Sequence, residues 1–229
     1  MKERKFLGVL AVLCMLAMQT GCAAVFHSSY SSEPIEATVV DAETGEPLEG
    51  VIVVAHWELV HGSFGGRVPS GQLKVMEAVT DKAGIFRFPA WGPVENKTSG
   101  ILEEKSPQIL IFKSGYEFGG FTNKWDREYA TMSPRRRSEW HGKTMRLKKF
   151  KGSQQEYASH LSFLTTSLSF AYSPKDCEWK YVPRMLIALD REKKQLSAQG
   201  IFNSLSKIDH VGGQQKCGSA REFFGDYLK

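Results

Sequence analysis

Catalytic signatures are what this sequence lacks. No HExxH, GxSxG or glycine-rich loop ending in Lys-Ser/Thr occurs in its 229 residues. Those patterns supply paired zinc ligands, a strained serine nucleophile and a phosphate cradle. Gly62-Ser63-Phe64-Gly65-Gly66-Arg67 has the glycines of a cradle but neither its ending nor a following helix, so it reads as a loop. The six histidines show no metal-ligand spacing. No catalytic residue, metal ligand or cofactor is therefore expected. Charge of one sign is also scarce, at +5 overall, which gives no reason to expect nucleic acid. Long apolar runs are missing too. The longest, Phe6–Met18, has thirteen residues, and a spanning helix needs about 20.

What is present begins with that short run. Lys2, Arg4 and Lys5 precede it, and a brief polar stretch ends at Gly21-Cys22. This is the layout of an export signal. At Thr20, Gly21 and Cys22 it resembles the lipobox of bacterial lipoproteins, which implies cleavage after residue 21 and lipid attachment at Cys22. Gln19 stands where that family usually has Leu, so ordinary secretion with cleavage near Cys22-Ala23-Ala24 stays open. The resemblance implies a bacterial cell-envelope protein held by lipid and facing the periplasm. Ala23 and Ala24, in place of an Asp, favour the outer membrane. Residues 22–34, with Ser28, Ser29, Ser31 and Ser32, read as a tether.

Cysteine is limited to four residues. Cys14 leaves with residues 1–21, and Cys22 takes the lipid. Cys177 and Cys217 remain as an even pair in an oxidising compartment, and a disulfide is expected between them. Arg135-Arg136-Arg137 forms the centre of a basic block and reads as a solvated face. The alternative is attraction to anionic headgroups or an acidic envelope polymer.

From Ile35 to Leu147 the hydrophobic period is two. Strands are expected at 35–41, 50–57, 75–80, 85–88, 108–113 and 143–148, with turn residues between them. Residues 58–73 read as an irregular excursion, and 117–141 as a long insertion. Short strands in this number argue a β-sandwich. The blocks Val39–Val51, Thr80–Phe86 and Lys113-Ser114-Gly115-Tyr116 resemble carboxypeptidase regulatory-like domains. That resemblance covers about residues 35–148 and implies a transthyretin-like fold used as an accessory module.

After Lys151 the period becomes helical. Ser153 and Glu156 have capping-box spacing, and Tyr157, Leu161, Leu164 and Leu168 share one helical face. Pro183 suits the first turn of a second helix, with Val182, Met185, Leu186, Leu189 and Leu196 inward and Gly200 as its stop. Ser219 and Glu222 repeat the capping spacing. The fold class is thus α+β: a transthyretin-like β-sandwich at 35–150 followed by a small helical region at 151–229.

Other candidates for chemistry are weak. His56 reads as a strand residue in the core or at an edge. Glu103-Glu104, if extended, point to opposite faces and read as solvent-exposed. Asn96-Lys97-Thr98 fits a glycosylation sequon that has no meaning in a bacterium with a lipobox. Aromatic residues in the insertions carry the binding candidates, Trp125 and Trp140 beside Arg135, Arg136 and Arg137. The leading expectation is a non-catalytic, lipid-anchored envelope protein that offers loops 58–73 and 117–141 to a protein partner. A glycan- or peptidoglycan-binding module is the alternative, and a divergent hydrolase built around His56, His61 or His141 is a third. Labelling cells with radioactive fatty acid tests the anchor. Label is expected on the wild-type protein and lost in Cys22→Ala; equal labelling of both refutes lipidation at this residue.

Overall fold

A computed structural model of the chain describes residues 28–124, 135–172, 177–212, 217–225 and 227. Residues 1–21 and Cys22 lie outside the described residues, as does Trp125.

The architecture is α+β. Eleven strands occur among the described residues: β1 Ser29–Ser32, β2 Ile35–Asp41, β3 Ile52–Ser63, β4 Gly66–Val79, β5 Ile85–Phe88, β6 Trp91–Glu95, β7 Ile101–Leu102, β8 Gln108–Phe112, β9 Gly119–Phe121, β10 Arg135–Arg136 and β11 Thr144–Leu147. They form three sheets. The largest has the order β4-β3-β8-β9 with β7 on β3; the second is β11-β2-β5; the third is β10-β1-β6. The helices are α1 Gln154–Ser167, α2 Pro183–Ala198 and the short α3 Ala220–Phe223.

Side-chain alternation sorts β3 and β8 into two cores. Val53, Ala55, Trp57 and Leu59 of β3, with Ile109 and Ile111 of β8, point toward the β11-β2-β5 sheet. There they meet Ile35, Ala37, Val39, Phe86, Phe88, Met145 and Leu147. Val54, Leu110 and Phe112 point the other way, into a core with Leu161, Leu164, Trp179, Met185, Leu189 and Phe224 from the helical region. The central sheet is thus apolar on both faces. The helical region packs on the sandwich, as its small size requires.

The three sequence blocks named above are stitched together by polar side chains. Thr80 Oγ1 accepts from the Val51 amide at 2.9 Å and donates to the Leu48 carbonyl at 2.6 Å, so it joins the first block to the second. Asp41 accepts from the amides of Glu43 and Thr44, and the Tyr116 hydroxyl donates to its other oxygen at 3.0 Å. These bonds, the Thr44 amide first, hold the Asp41 carboxyl below its usual range. Gly84 closes the β4–β5 turn at φ +71, where an added Cβ would lie 2.5 Å from the Val39 carbonyl oxygen.

Helix starts follow the expected chemistry. Ser153 and Glu156 form a complete capping box on α1, and Pro183 opens α2. Gly200 ends α2 at φ +72. The α2 N-terminus also has an acceptor that local sequence does not announce. Glu77 on β4 receives the amides of Arg184 at 3.0 Å and Met185 at 2.8 Å. Cys177 and Cys217 are disulfide-bonded, with Cα atoms 5.9 Å apart.

Three expectations are corrected. The serine-rich stretch expected as a tether is partly strand: Ser29–Ser32 pair with β6 and β10, so order begins before Ile35. The excursion at 58–73 is instead a paired ribbon. β3 and β4 continue to Ser63↔Gly66 through two register shifts, where Leu73 and Ser70 are the extra residues, and alternation alone does not reveal such bulges. Strands β1, β6, β7, β9 and β10 were not expected, since they are short or polar and take their pairing from neighbours.

The disulfide closes a separation of 40 residues, which the loop-entropy relation converts to about 4 kcal/mol. Cys217→Ser is expected to lower the urea midpoint by a corresponding amount, and an unchanged midpoint refutes it. Burial raises the Glu77 carboxyl to about 7 against the counter-effects of the Met185 and Arg184 amides and the Arg184 charge. A carboxyl raised on folding contributes stability that is fully present below its unfolded value and is lost as pH rises through about 7. Relative to Glu77→Gln, the wild-type urea midpoint is therefore expected to rise as pH falls from 8 to 5. Parallel pH profiles refute this assignment.

Candidate binding groove

The described ends of the insertion, 117–124 and 135–141, build a surface groove against the loop after β7. Asn123 fastens the walls. Its amide nitrogen Nδ2 donates to the Ser106 carbonyl at 2.8 Å and to the Arg137 carbonyl at 2.9 Å. Its side-chain oxygen accepts from the Glu139 amide at 3.0 Å, and its own amide donates to the Lys105 carbonyl. The groove, about 480 Å³, is lined by Lys105, Phe121, Asn123, Lys124, Glu139 and Trp140, among others.

Trp140 is the half-buried wall of this groove. Its indole packs edge-on against Phe121 with centroids 4.8 Å apart, and its Nε1 donates to the Thr122 carbonyl at 3.2 Å. Lys143 stands over the ring at 5.7 Å from the centroid. Trp125 follows the groove residue Lys124 in sequence but lies outside the described residues.

The arginine run is a solvated face only at Arg135 and Arg137. Strand alternation splits it. Arg136 is buried, sits over the Tyr30 ring at 5.8 Å and donates to the Leu102 carbonyl at 3.3 Å. Burial lowers its pKa. Arg135 and Arg137 point outward and both pair with Glu33, at 3.2 and 3.0 Å. The run therefore fixes β10 to the segment after β1, and Trp140 is not gathered with three free cations.

The histidines stand apart. His56 is 3% exposed, lies against Phe170 at 4.6 Å and bonds Gln72 through Nδ1, and burial lowers its pKa. His61 is exposed on the ribbon. His141 Nδ1 accepts from the Glu36 amide. Glu58 reaches Gln72 and is pushed up by burial, but His56 itself is sealed from solvent. Among the described residues no three of His, Cys, Asp and Glu are placed to hold a metal ion.

Glu103 and Glu104 reverse the sequence expectation. They lie in a turn, where strand alternation does not apply, and both bind Arg67, at 3.2 and 2.6 Å. Asn96 is also structural: it is buried, donates to the Gly100 carbonyl and accepts from Thr98. Sequence reasoning missed Asn123 and Lys105 as groove residues, because neither stands in a recognisable local pattern.

A second depression, about 360 Å³, lies between β4 and the helical region, with Glu77 among Lys74, Lys180, Tyr181, Arg184 and Tyr227. Arg184 stands over Tyr227 at 5.9 Å and Lys180 over Phe223 at 5.0 Å.

Comparison with protein-family models finds no match, and neither does comparison with curated proteins. Three solved structures show remote likeness. A 3-chlorocatechol 1,2-dioxygenase from Rhodococcus opacus has 18% identity and a TM-score of 0.32, with 55% of this chain and 62% of that chain covered. A streptococcal ancillary pilin has 17% identity and a TM-score of 0.24, covering 55% and 31%. A 9R-lipoxygenase from Cyanothece has 11% identity and a TM-score of 0.28, covering 75% and 28%. This chain thus spans less than two thirds of each of them, and none of the three bears on what it does.

Proposed function

We propose that this protein is a non-catalytic, lipid-anchored module of the bacterial cell envelope, and that it binds a protein segment in the Trp140 groove. The observation that carries the binding reading is the groove itself: a half-buried indole, with Phe121 behind it and Lys105, Lys124 and Glu139 around it. An aromatic wall with charges of both signs suits an extended peptide segment, whose apolar side chain fills the groove while its polar groups meet the rim. A uniformly acidic glycan is less suited, since Glu139 opposes it and Arg136 is withdrawn into the fold.

Attachment through Cys22 is supported by the sequence layout alone. The Cys177–Cys217 disulfide fits an oxidising compartment. No helix among the described residues is long and apolar enough to cross a membrane, which is compatible with a lipid as the attachment. The carboxypeptidase regulatory-like resemblance is supported by the contacts of Thr80 and Tyr116, which join the blocks that carry it.

Affinity purification from detergent-solubilised envelope, followed by titration with the purified partner, tests the groove. Trp140→Ala is expected to weaken binding by at least about tenfold, the scale of a central aromatic anchor. Lys124→Glu, on an exposed side chain, is expected to weaken it with the fold intact. Retention of the pure protein on peptidoglycan, lost in Trp140→Ala, would instead establish the glycan reading.

A further inference from the structure

The β3–β4 ribbon projects beyond the body of the sandwich. β7 accompanies β3 only at Leu59 and Val60, and the two strands then continue as a pair to Ser63↔Gly66. Residues 61–69 are all exposed. Phe64 at the tip has a relative exposure of 111%, with Val68 at 41% and Ile101, at the ribbon root, at 51%. No Asp or Glu stands between Glu58 and Glu77. Glu103 and Glu104 reach the ribbon through Arg67, and Phe64 stands beyond that pairing at the tip; exposed apolar side chains that cluster mark contact surfaces.

The same end of the molecule receives the N-terminal chain. The Ser28 carbonyl accepts from the Asn96 amide at 2.9 Å, and Asn96 is bonded in turn to Gly100. Gly100 lies directly on the ribbon root, where an added Cβ would come within 2.4 Å of Ser70 Oγ and 3.2 Å of the Val60 carbonyl oxygen. One loop therefore joins the segment at Ser28 to the base of the ribbon. Exposed Lys97 in that loop adds a cation.

Chain length sets the distance. Cys22 and Ser28 are separated by six residues, which reach at most about 20 Å. The four residues from Val60 to Phe64 carry the tip about 13 Å beyond the root. Because β1 occupies part of the expected tether, the fold cannot stand far from its anchor, and a projection of this length is comparable to the remaining gap.

We infer that the β3–β4 tip, led by Phe64 with Val68 beside it, seats in the interface of the bilayer that holds Cys22. This rests on the lipid anchorage proposed above. A ring at the acyl–headgroup boundary and a nearby lysine facing anionic headgroups give a second membrane contact, which fixes the orientation of the sandwich.

The test uses the full-length protein, purified in detergent and reconstituted in vesicles of phosphatidylethanolamine and phosphatidylglycerol. Gly65→Cys, whose added Cβ meets nothing within 4 Å, carries an environment-sensitive fluorophore beside an intact Phe64. Glu46→Cys, in the turn at the opposite end of β3, is the control. A blue shift and quenching by nitroxide-labelled lipid are expected at position 65 and not at position 46, and both are expected to be lost when Phe64→Ser is added. A water-like signal at 65 overturns the inference, as does a shift that appears without vesicles and grows with protein concentration, which would mark a protein contact. Cell fractionation separates the two readings. If the wild type is membrane-bound and Cys22→Ala soluble while position 65 reports water, only the tip inference falls. A soluble wild type overturns both.

Discussion

A central sheet with two apolar faces holds this molecule together. β3 and β8 place successive residues in opposite cores, so Val53 and Val54, or Ile109 and Leu110, are neighbours in sequence and separated by the sheet in space. Removing such side chains from water is the main favourable contribution to folding, at roughly 25 cal/mol per Å² of apolar surface. Neither the β11-β2-β5 sheet nor the helical region has a comparable surface to bury against without this layer. The helical region is therefore part of the sandwich's stability rather than an appendage.

Polar side chains then fix how the layers meet. Thr80 joins the turn before β3 to the end of β4, Asp41 receives Tyr116 from the loop after β8, and Glu77 caps α2 across the layer boundary. Each satisfies backbone or hydroxyl groups that burial would otherwise leave costly. The disulfide acts on the far side, where Cys177 takes a left-handed conformation with φ 57 just before the Glu178–Tyr181 turn. The Trp140 groove and the ribbon tip are two of the regions that these constraints leave outside the cores. Both are exposed apolar features on a rigid frame, the arrangement on which recognition commonly depends.

Legibility in the sequence followed the range of the interactions. Ser153 with Glu156, Pro183 and Gly200 act within one helical turn, so their chemistry was readable directly. Apolar patterning marked β2, β3, the end of β4, β5, β8 and β11. The Cys177–Cys217 pairing followed from counting. The extended ribbon was not readable, since its outer rungs are Gly, Ser, Arg and Pro, whose strand character comes only from the partner across the ladder. Arg136 was misjudged for a similar reason: its burial depends on Tyr30, more than a hundred positions away. Trp140 was legible as a candidate by residue type, but the groove it lines depends on Asn123 bonding two separate segments, at Ser106 and at Arg137 to Glu139.

The sequence by itself determined the order of the main strands and helices, the helix starts, the disulfide partners and most of the apolar core, because local sterics, capping and hydrophobic period act over a few residues. Tertiary structure decided that Arg136 is buried while Arg135 and Arg137 pair with Glu33, that Glu103 and Glu104 share Arg67, that Glu77 caps a distant helix, and that the ribbon root lies beside the loop that holds Ser28. Those outcomes depend on which backbone segments approach one another once both faces of the central sheet are covered, and no short window of sequence carries that information.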